Sequence, residues 1–168
     1  MQPDEQQIPV GRSLEELTIP RSPLMPPVEV FDGELQRIEA SLRPSVPEEI
    51  RKRITTTRNL AVYGAFSYDF FAVSVYWSLT CIEMAVWSKY KEKNPGPTKR
   101  MTLKPLLQWA STEGLWPSQV VAANSILHLR NSFAHPKEFS SVLTPGMALD
   151  FFKTTVDIVN YLWPLDVS

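Results

Sequence analysis

One stretch dominates this chain. From Phe70 to Ile82 it is almost wholly apolar, bounded by Asp69 and Glu83. Around it, Phe66, Phe70, Val73, Trp77, Cys81 and Met84 recur at steps of three and four, the period of one helix face. Phe71, Val75, Leu79, Ile82 and Val86 form a second stripe. The pattern predicts a dominant helix over about residues 57 to 93, apolar on both sides and lying in the middle of a bundle. Its apolar core is shorter than the ~20 residues a membrane span needs, so a buried helix is expected, with no membrane partner. Lys89, Lys91 and Lys93 close it with cations where the helix dipole favours them, and Asn94-Pro95-Gly96-Pro97 breaks it.

The flanking segments supply the rest of an all-α fold. Asp32 is placed to cap a short helix through Leu35, Ile38 and Leu42, ended by Pro44. Ser45 or Val46, with Pro47 in the first turn and Glu48 and Glu49 beside it, starts another, whose later part carries Arg51, Lys52, Arg53 and Arg58 on an expected solvated face. Thr102 is a candidate cap for a helix burying Leu103, Leu106, Leu107 and Ala110, with Gly114 as its stop. Pro117 and Ser118 open a helix through Val121, Ile126 and Leu129 to Pro136. Thr144-Pro145 starts a last one, with Phe152, Val156, Val159 and Trp163 inward and Pro164 closing it. No strand pattern and no internal repeat is visible. The expectation is an up-and-down four-helix bundle over residues 31–168 with short N-terminal helices. Residues 1–30, with Pro3, Pro9, Pro20, Pro23, Pro26 and Pro27, read as a proline-rich arm, either loose or docked through Val28, Val30 and Phe31.

Composition narrows the chemistry. Hydrophobic residues make up 43% of the 168 and charged residues 21%, enough for an ordinary core without staples. Cys81 is the single cysteine and is expected to be buried and inert. With two histidines, no zinc pattern arises, and no metal or other cofactor is expected. Free thiol chemistry and an acidic, polar N-terminus fit a cytoplasmic protein. A net charge of −1 argues against a protein that coats nucleic acid through its overall field, but permits a local basic cleft.

Both histidines, His128 and His135, flank Arg130 and Asn131. On a helix, residues 128, 131 and 135 share one stripe, and Arg130 lies off it. This group has the parts for RNA cleavage. A histidine titrates near neutrality and can exchange a proton with a 2′-hydroxyl or leaving oxygen. An arginine presents a charged fork to phosphate. An asparagine can orient either. The same residues at a helix end also serve as caps and ion-pair partners. Lys89, Lys91, Lys93, Lys99, Arg100, Lys104 and Lys137 are candidate backbone contacts, with Trp109 or Trp116 as a stacking ring, or else a solvated basic loop.

The string Leu129-Arg130-Asn131-Ser132-Phe133-Ala134-His135-Pro136 resembles the signature of the HEPN superfamily: Arg, a polar residue, three more, then His. The surroundings are similar too. A long apolar helix with a glutamate, here Thr80-Cys81-Ile82-Glu83-Met84-Ala85, precedes a shorter helix, the motif helix and a closing amphipathic one. The resemblance covers roughly residues 57 to 163. It implies a HEPN-like bundle and a metal-independent endoribonuclease of toxin–antitoxin or phage-defence type, with a composite site at a homodimer interface. By it, Arg130 and His135 are the catalytic pair, Asn131 orients, and Glu83 and His128 support. An antitoxin or larger defence complex is the implied partner beside the RNA substrate. One toxin subgroup has a modifiable tyrosine two residues after the histidine. Lys137 stands there, so that mode of neutralisation is not implied. Other HEPN domains are non-catalytic dimerisation or docking modules, the alternative for this chain.

Overall fold

The computed structural model describes residues 25–96, 101–116, 126, 128, 130, 131 and 143–164. All regular structure among them is helical. The elements are α1 (Val28–Ala40), α2 (Glu48–Tyr63), α3 (Asp69–Lys93), α4 (Leu103–Thr112) and α5 (Pro145–Leu162). Ile126, His128, Arg130 and Asn131, between α4 and α5, are also helical.

Helix α3 is the axis of the packing. It packs against α2 and α5, and against α4 towards its C-terminal end, where Tyr90 meets Trp109. Its inward face is Phe71, Val75, Leu79, Ile82 and Val86, each at most 1% exposed. Facing them are Ile50 and Ile54 of α2, Leu106 and Leu107 of α4, and Phe152, Val156 and Val159 of α5. Each fully buried side chain of this size is worth roughly 1.5–3 kcal/mol of hydrophobic stabilisation.

The sequence pattern placed one helix over 57 to 93, and the chain instead breaks it. Residues 57–63 finish α2, and a tight turn over 64–68 reverses the chain into α3. The reason lies in Gly64. A Cβ there would stand 2.3 Å from the ring of Phe71, so only glycine lets the two helices close at this point. Backbone bonds from Phe66 and Ser67 to the Tyr63 carbonyl, and from Phe71 to that of Tyr68, fill the turn.

The expected double-sided burial of this helix also fails at its N-terminal end. Phe66, Phe70 and Val73 of the first stripe are exposed, Trp77 and Met84 are half-buried, and Cys81 alone is fully enclosed. By length and composition α3 could cross a membrane (25 residues, hydropathy 1.4 over its most apolar window), yet half of that window is buried against its neighbours. A core helix passes the same test.

Elsewhere several expected signals act as read, although Thr102 precedes α4 without a side-chain capping bond and Pro47 stands at the N-cap of α2 rather than in its first turn. Leu103, Leu106, Leu107 and Ala110 are the buried side of α4. Gly114 ends it at φ +67°, where the left-handed conformation favours glycine, and Leu115 N–H reaches back to the Ala110 carbonyl. Thr144 caps α5 by accepting from Met147 N–H at 3.2 Å, with Pro145 in the first turn. Helix α1 starts at Val28, after Pro27, rather than at Asp32. Asp32 lies inside it and accepts from Gln36 at 2.7 Å. Phe31, assigned to the foot of the arm or to its boundary, is a core residue edge-on to Phe71.

A polar latch joins the two ends of the fold. The Asn160 side chain accepts from Arg43 N–H and donates to the Ser41 carbonyl, both at 3.0 Å. Arg43 in turn donates to the Asn160 carbonyl at 2.7 Å. The α1–α2 connection is thereby fixed to the end of α5.

Candidate functional site

Of the motif, Arg130 and Asn131 sit on helical backbone between α4 and α5, as do Ile126 and His128 before them. Ile126 is buried, His128 and Asn131 are exposed, and Arg130 is half-buried. These exposures follow from the helical period of about 100° per residue. Taking the buried Ile126 as the inward direction, Arg130 lies roughly 40° from it, while His128 and Asn131 point outward within about 60° of each other. So the shared stripe of His128 and Asn131 is present, and Arg130 stands off it. Arg130 is half-buried, on the same side of the helix as the buried Ile126. His135, with Lys99, Arg100 and Lys137, lies outside the described residues.

Glu83, the acid of the apolar helix, is half-buried on α3. It does not stand alone. Thr80, Glu83, Met84 and Trp87 occupy one stripe of two helical turns, and with Met101 and Leu106 they line a pocket of about 70 Å³ between α3 and α4. Trp87 is stacked on Tyr90 (ring centroids 5.4 Å, planes 13° apart), and Tyr90 is held edge-on by Trp109 at 4.9 Å. Only Glu83 of this group was singled out from the sequence. The spacing of Thr80, Glu83, Met84 and Trp87 was the available signal, but it is the same spacing that a core stripe shows.

Several expected nucleic-acid contacts are engaged within the fold instead. Lys89 pairs with Glu92 at 2.9 Å and lies over the Trp163 ring at 4.7 Å. Lys93 pairs with Glu113 at 3.0 Å. Trp116 is buried, and Trp109 buttresses Tyr90, so neither is an open stacking ring. Lys91 and Lys104 remain exposed. On α2, the expected solvated face is likewise largely committed. Arg53 lies over Trp77 at 4.6 Å, Arg58 pairs with Glu39 at 3.3 Å, and Arg51 donates to the Arg43 carbonyl at 2.9 Å.

Cys81 is enclosed beside Thr57, with Sγ and Oγ1 3.5 Å apart. Burial pushes its thiol up to about 11, against smaller opposing effects of the Thr57 hydroxyl and the Arg53 charge. A thiol so protonated is a poor nucleophile, which makes Cys81 a packing residue.

No family model matches the chain, and no curated protein or solved structure matches it either.

Proposed function

We propose that this chain is a metal-independent endoribonuclease of HEPN type, acting as a homodimer with Arg130 and His135 as its catalytic pair. The observation that carries this reading is the placement of Arg130 and Asn131. Both are helical, Asn131 opens to solvent, and Arg130 is half-buried on the side of Ile126. A half-buried arginine has less freedom to lose when its fork meets a phosphate, which suits stabilisation of charge on a phosphorane-like transition state. In this mechanism the RNA 2′-hydroxyl attacks the adjacent phosphorus and the 5′-oxygen leaves. His135 moves the proton, Arg130 neutralises the phosphate oxygens, and Asn131 orients the phosphate or the imidazole. Toxin or phage-defence action would follow from such cleavage inside a host cell, with an antitoxin or larger complex as the restraining partner.

The test is cleavage of single-stranded RNA by purified wild type and Arg130→Ala, with chelator present. Wild type should leave 2′,3′-cyclic phosphate ends, and Arg130→Ala should lose at least a hundredfold in rate, the typical scale for removing one such electrostatic group. An unchanged melting temperature in the variant would assign that loss to chemistry. Strict dependence on added Mg²⁺ would overturn the mechanism.

A second reading, a non-catalytic partner-binding module, is favoured by a different observation. Tyr63, Phe66, Phe70, Val73 and Tyr76 are all exposed at the α2–α3 corner. A contiguous apolar patch of this kind marks an association surface. If the chain is only such a module, Phe70→Asp should abolish self-association or partner capture, while no RNA is cut by either protein.

A further inference from the structure

The first half of α3 turns one face away from its own fold. At about 100° per residue, Val73 points roughly opposite the buried side formed by Phe71, Val75, Leu79, Ile82 and Val86. Phe70 and Trp77 flank Val73 on one side, roughly 40–60° away, and Asp69 and Tyr76 flank it on the other by the same angles. Asp69, Phe70, Val73 and Tyr76 are exposed, and Trp77 is half-buried. The two rings of the apolar side are already held. Tyr63 lies against Phe70, with ring centroids 5.9 Å apart, and Arg53 lies over Trp77 at 4.6 Å. On the polar side, Asp69 enters no ion pair among the described residues. Its carboxylate and the Tyr76 hydroxyl stand at opposite ends of the same edge, one an acceptor and the other a donor.

We propose that the outward face of α3 from Asp69 to Trp77 docks a second copy of this chain, with the two α3 helices antiparallel and a two-fold axis beside Val73. Apolar area alone would take any apolar partner. The arrangement around it selects its own copy. A two-fold axis perpendicular to both helices reverses the direction along the helix and keeps each edge of the face against the same edge of its mate. Asp69 and Trp77 lie about 6 Å from Val73 along the helix, in opposite directions, and Phe70 and Tyr76 about 4.5 Å. Phe70 therefore meets the partner's Trp77, ring against ring. Asp69 meets the partner's Tyr76, a phenol that donates to the carboxylate. Val73 meets itself, and its small side chain lets the helices approach to about 8–10 Å. Each contact off the axis is made twice. A parallel pairing would instead set Asp69 against the ring of Phe70 and desolvate a carboxylate without a donor. Tyr63, Phe66, Phe70 and Tyr76 are 37–53% exposed, which is roughly 80 Å² each. A copy thus contributes about 300–400 Å² before its rim, against ~800 Å² for each partner of a stable interface, so the dimer is expected in the micromolar range. This face is the corner that a partner-binding module would use, committed here to one occupant, and its dimer does not depend on RNA cleavage.

The experiment measures the mass of the purified full chain against concentration by analytical ultracentrifugation. Wild type should pass from monomer to dimer with a Kd of roughly 10–100 µM. Val73→Arg sets two like charges on the axis and should leave a monomer throughout. Its urea midpoint should match wild type, since Val73 is exposed. Asp69→Ala and Tyr76→Phe should each weaken the dimer about tenfold, and the double variant no further than either alone, because the two residues share one contact. A second measurement needs no dissociation constant. Val73→Cys should join two copies by a disulfide under mild oxidation, whereas Tyr161→Cys, exposed on α5, should not. Cys81 is fully buried and gives no background. A wild type that stays monomeric, a dimer that Val73→Arg leaves intact, or equal cross-linking through positions 73 and 161 would overturn the proposal and leave the corner to a different partner. RNA cleavage is assayed on the same samples. A dimer with these properties that cuts no RNA would sink the ribonuclease reading and leave this interface standing.

Discussion

Helix α3 is left partly uncovered at both ends, and the two ends differ in kind. Near its start, Phe70, Val73 and Tyr76 join Tyr63 and Phe66 in an exposed apolar corner. Near its end, Thr80, Glu83, Met84 and Trp87 line a pocket. The corner carries broad apolar area and little directional chemistry, so anything apolar and of suitable shape can cover it. The pocket sets a carboxylate and a hydroxyl beside a ring stacked on Tyr90, so its lining is partly polar and directional. An open apolar face and a partly polar pocket are thus divided between the two ends of one helix, with the packed core between them.

The sharpest way to break that comparison uses adjacent residues. Phe71 is fully buried, whereas Phe70 is 39% exposed. Phe71→Ala should cost roughly 3–5 kcal/mol in urea unfolding, the range for emptying an aromatic site in a core. Phe70→Ala should cost less than about 1 kcal/mol and should instead lower any self-association. Equal destabilisation by the two changes would mean that the corner is packed and not a surface.

The middle of α3 gives a second check, this time through pH. Burial raises the Cys81 thiol from 9.0 to about 11, so the native state keeps a proton that the unfolded chain has lost. The unfolded state therefore gains relative stability as pH rises. The contribution is complete below about pH 9 and declines between 9 and 11, by roughly 3 kcal/mol at most. Urea midpoints of wild type and Cys81→Ala should diverge across that window. Parallel curves would show that Cys81 is open to water.

Much of the fold was readable because local and tertiary preferences agree there. Thr144-Pro145 starts α5, Gly114 stops α4, and the inward sides of both helices follow simple periodicity. The break between α2 and α3 was hidden because Tyr63 to Phe71 continues an apolar helical period without a proline. What decides it is the contact of Gly64 with Phe71, seven residues on, which no window of propensity contains. The same limit hid the pocket. Thr80, Met84 and Trp87 look like core spacing, and only the packing of α4 leaves space beside them. For the motif, the stripe of His128 and Asn131 was legible from spacing, and their exposure agrees with it. The engagement of Lys89 and Lys93 was not, since Trp163 and Glu113 are distant in sequence.

The smallest of these effects tests the hinge that separates the apolar corner from the core. Gly64 has φ −57°, a conformation open to any residue, so backbone strain is no obstacle to replacing it. The obstacle is space, since an added Cβ would stand 2.3 Å from the Phe71 ring. Gly64→Ala would ordinarily gain about 0.5–1 kcal/mol from helix propensity and a stiffer unfolded chain. Here overpacking should reverse that sign, with a net loss of roughly 1–3 kcal/mol. Pairing Gly64→Ala with Phe71→Leu separates the two contributions. The smaller side chain should relieve the clash, so the double variant should be more stable than the sum of the single losses allows. Strict additivity would show that the α2–α3 turn is not closed by this contact, and that the corner and the core are not set by the same hinge.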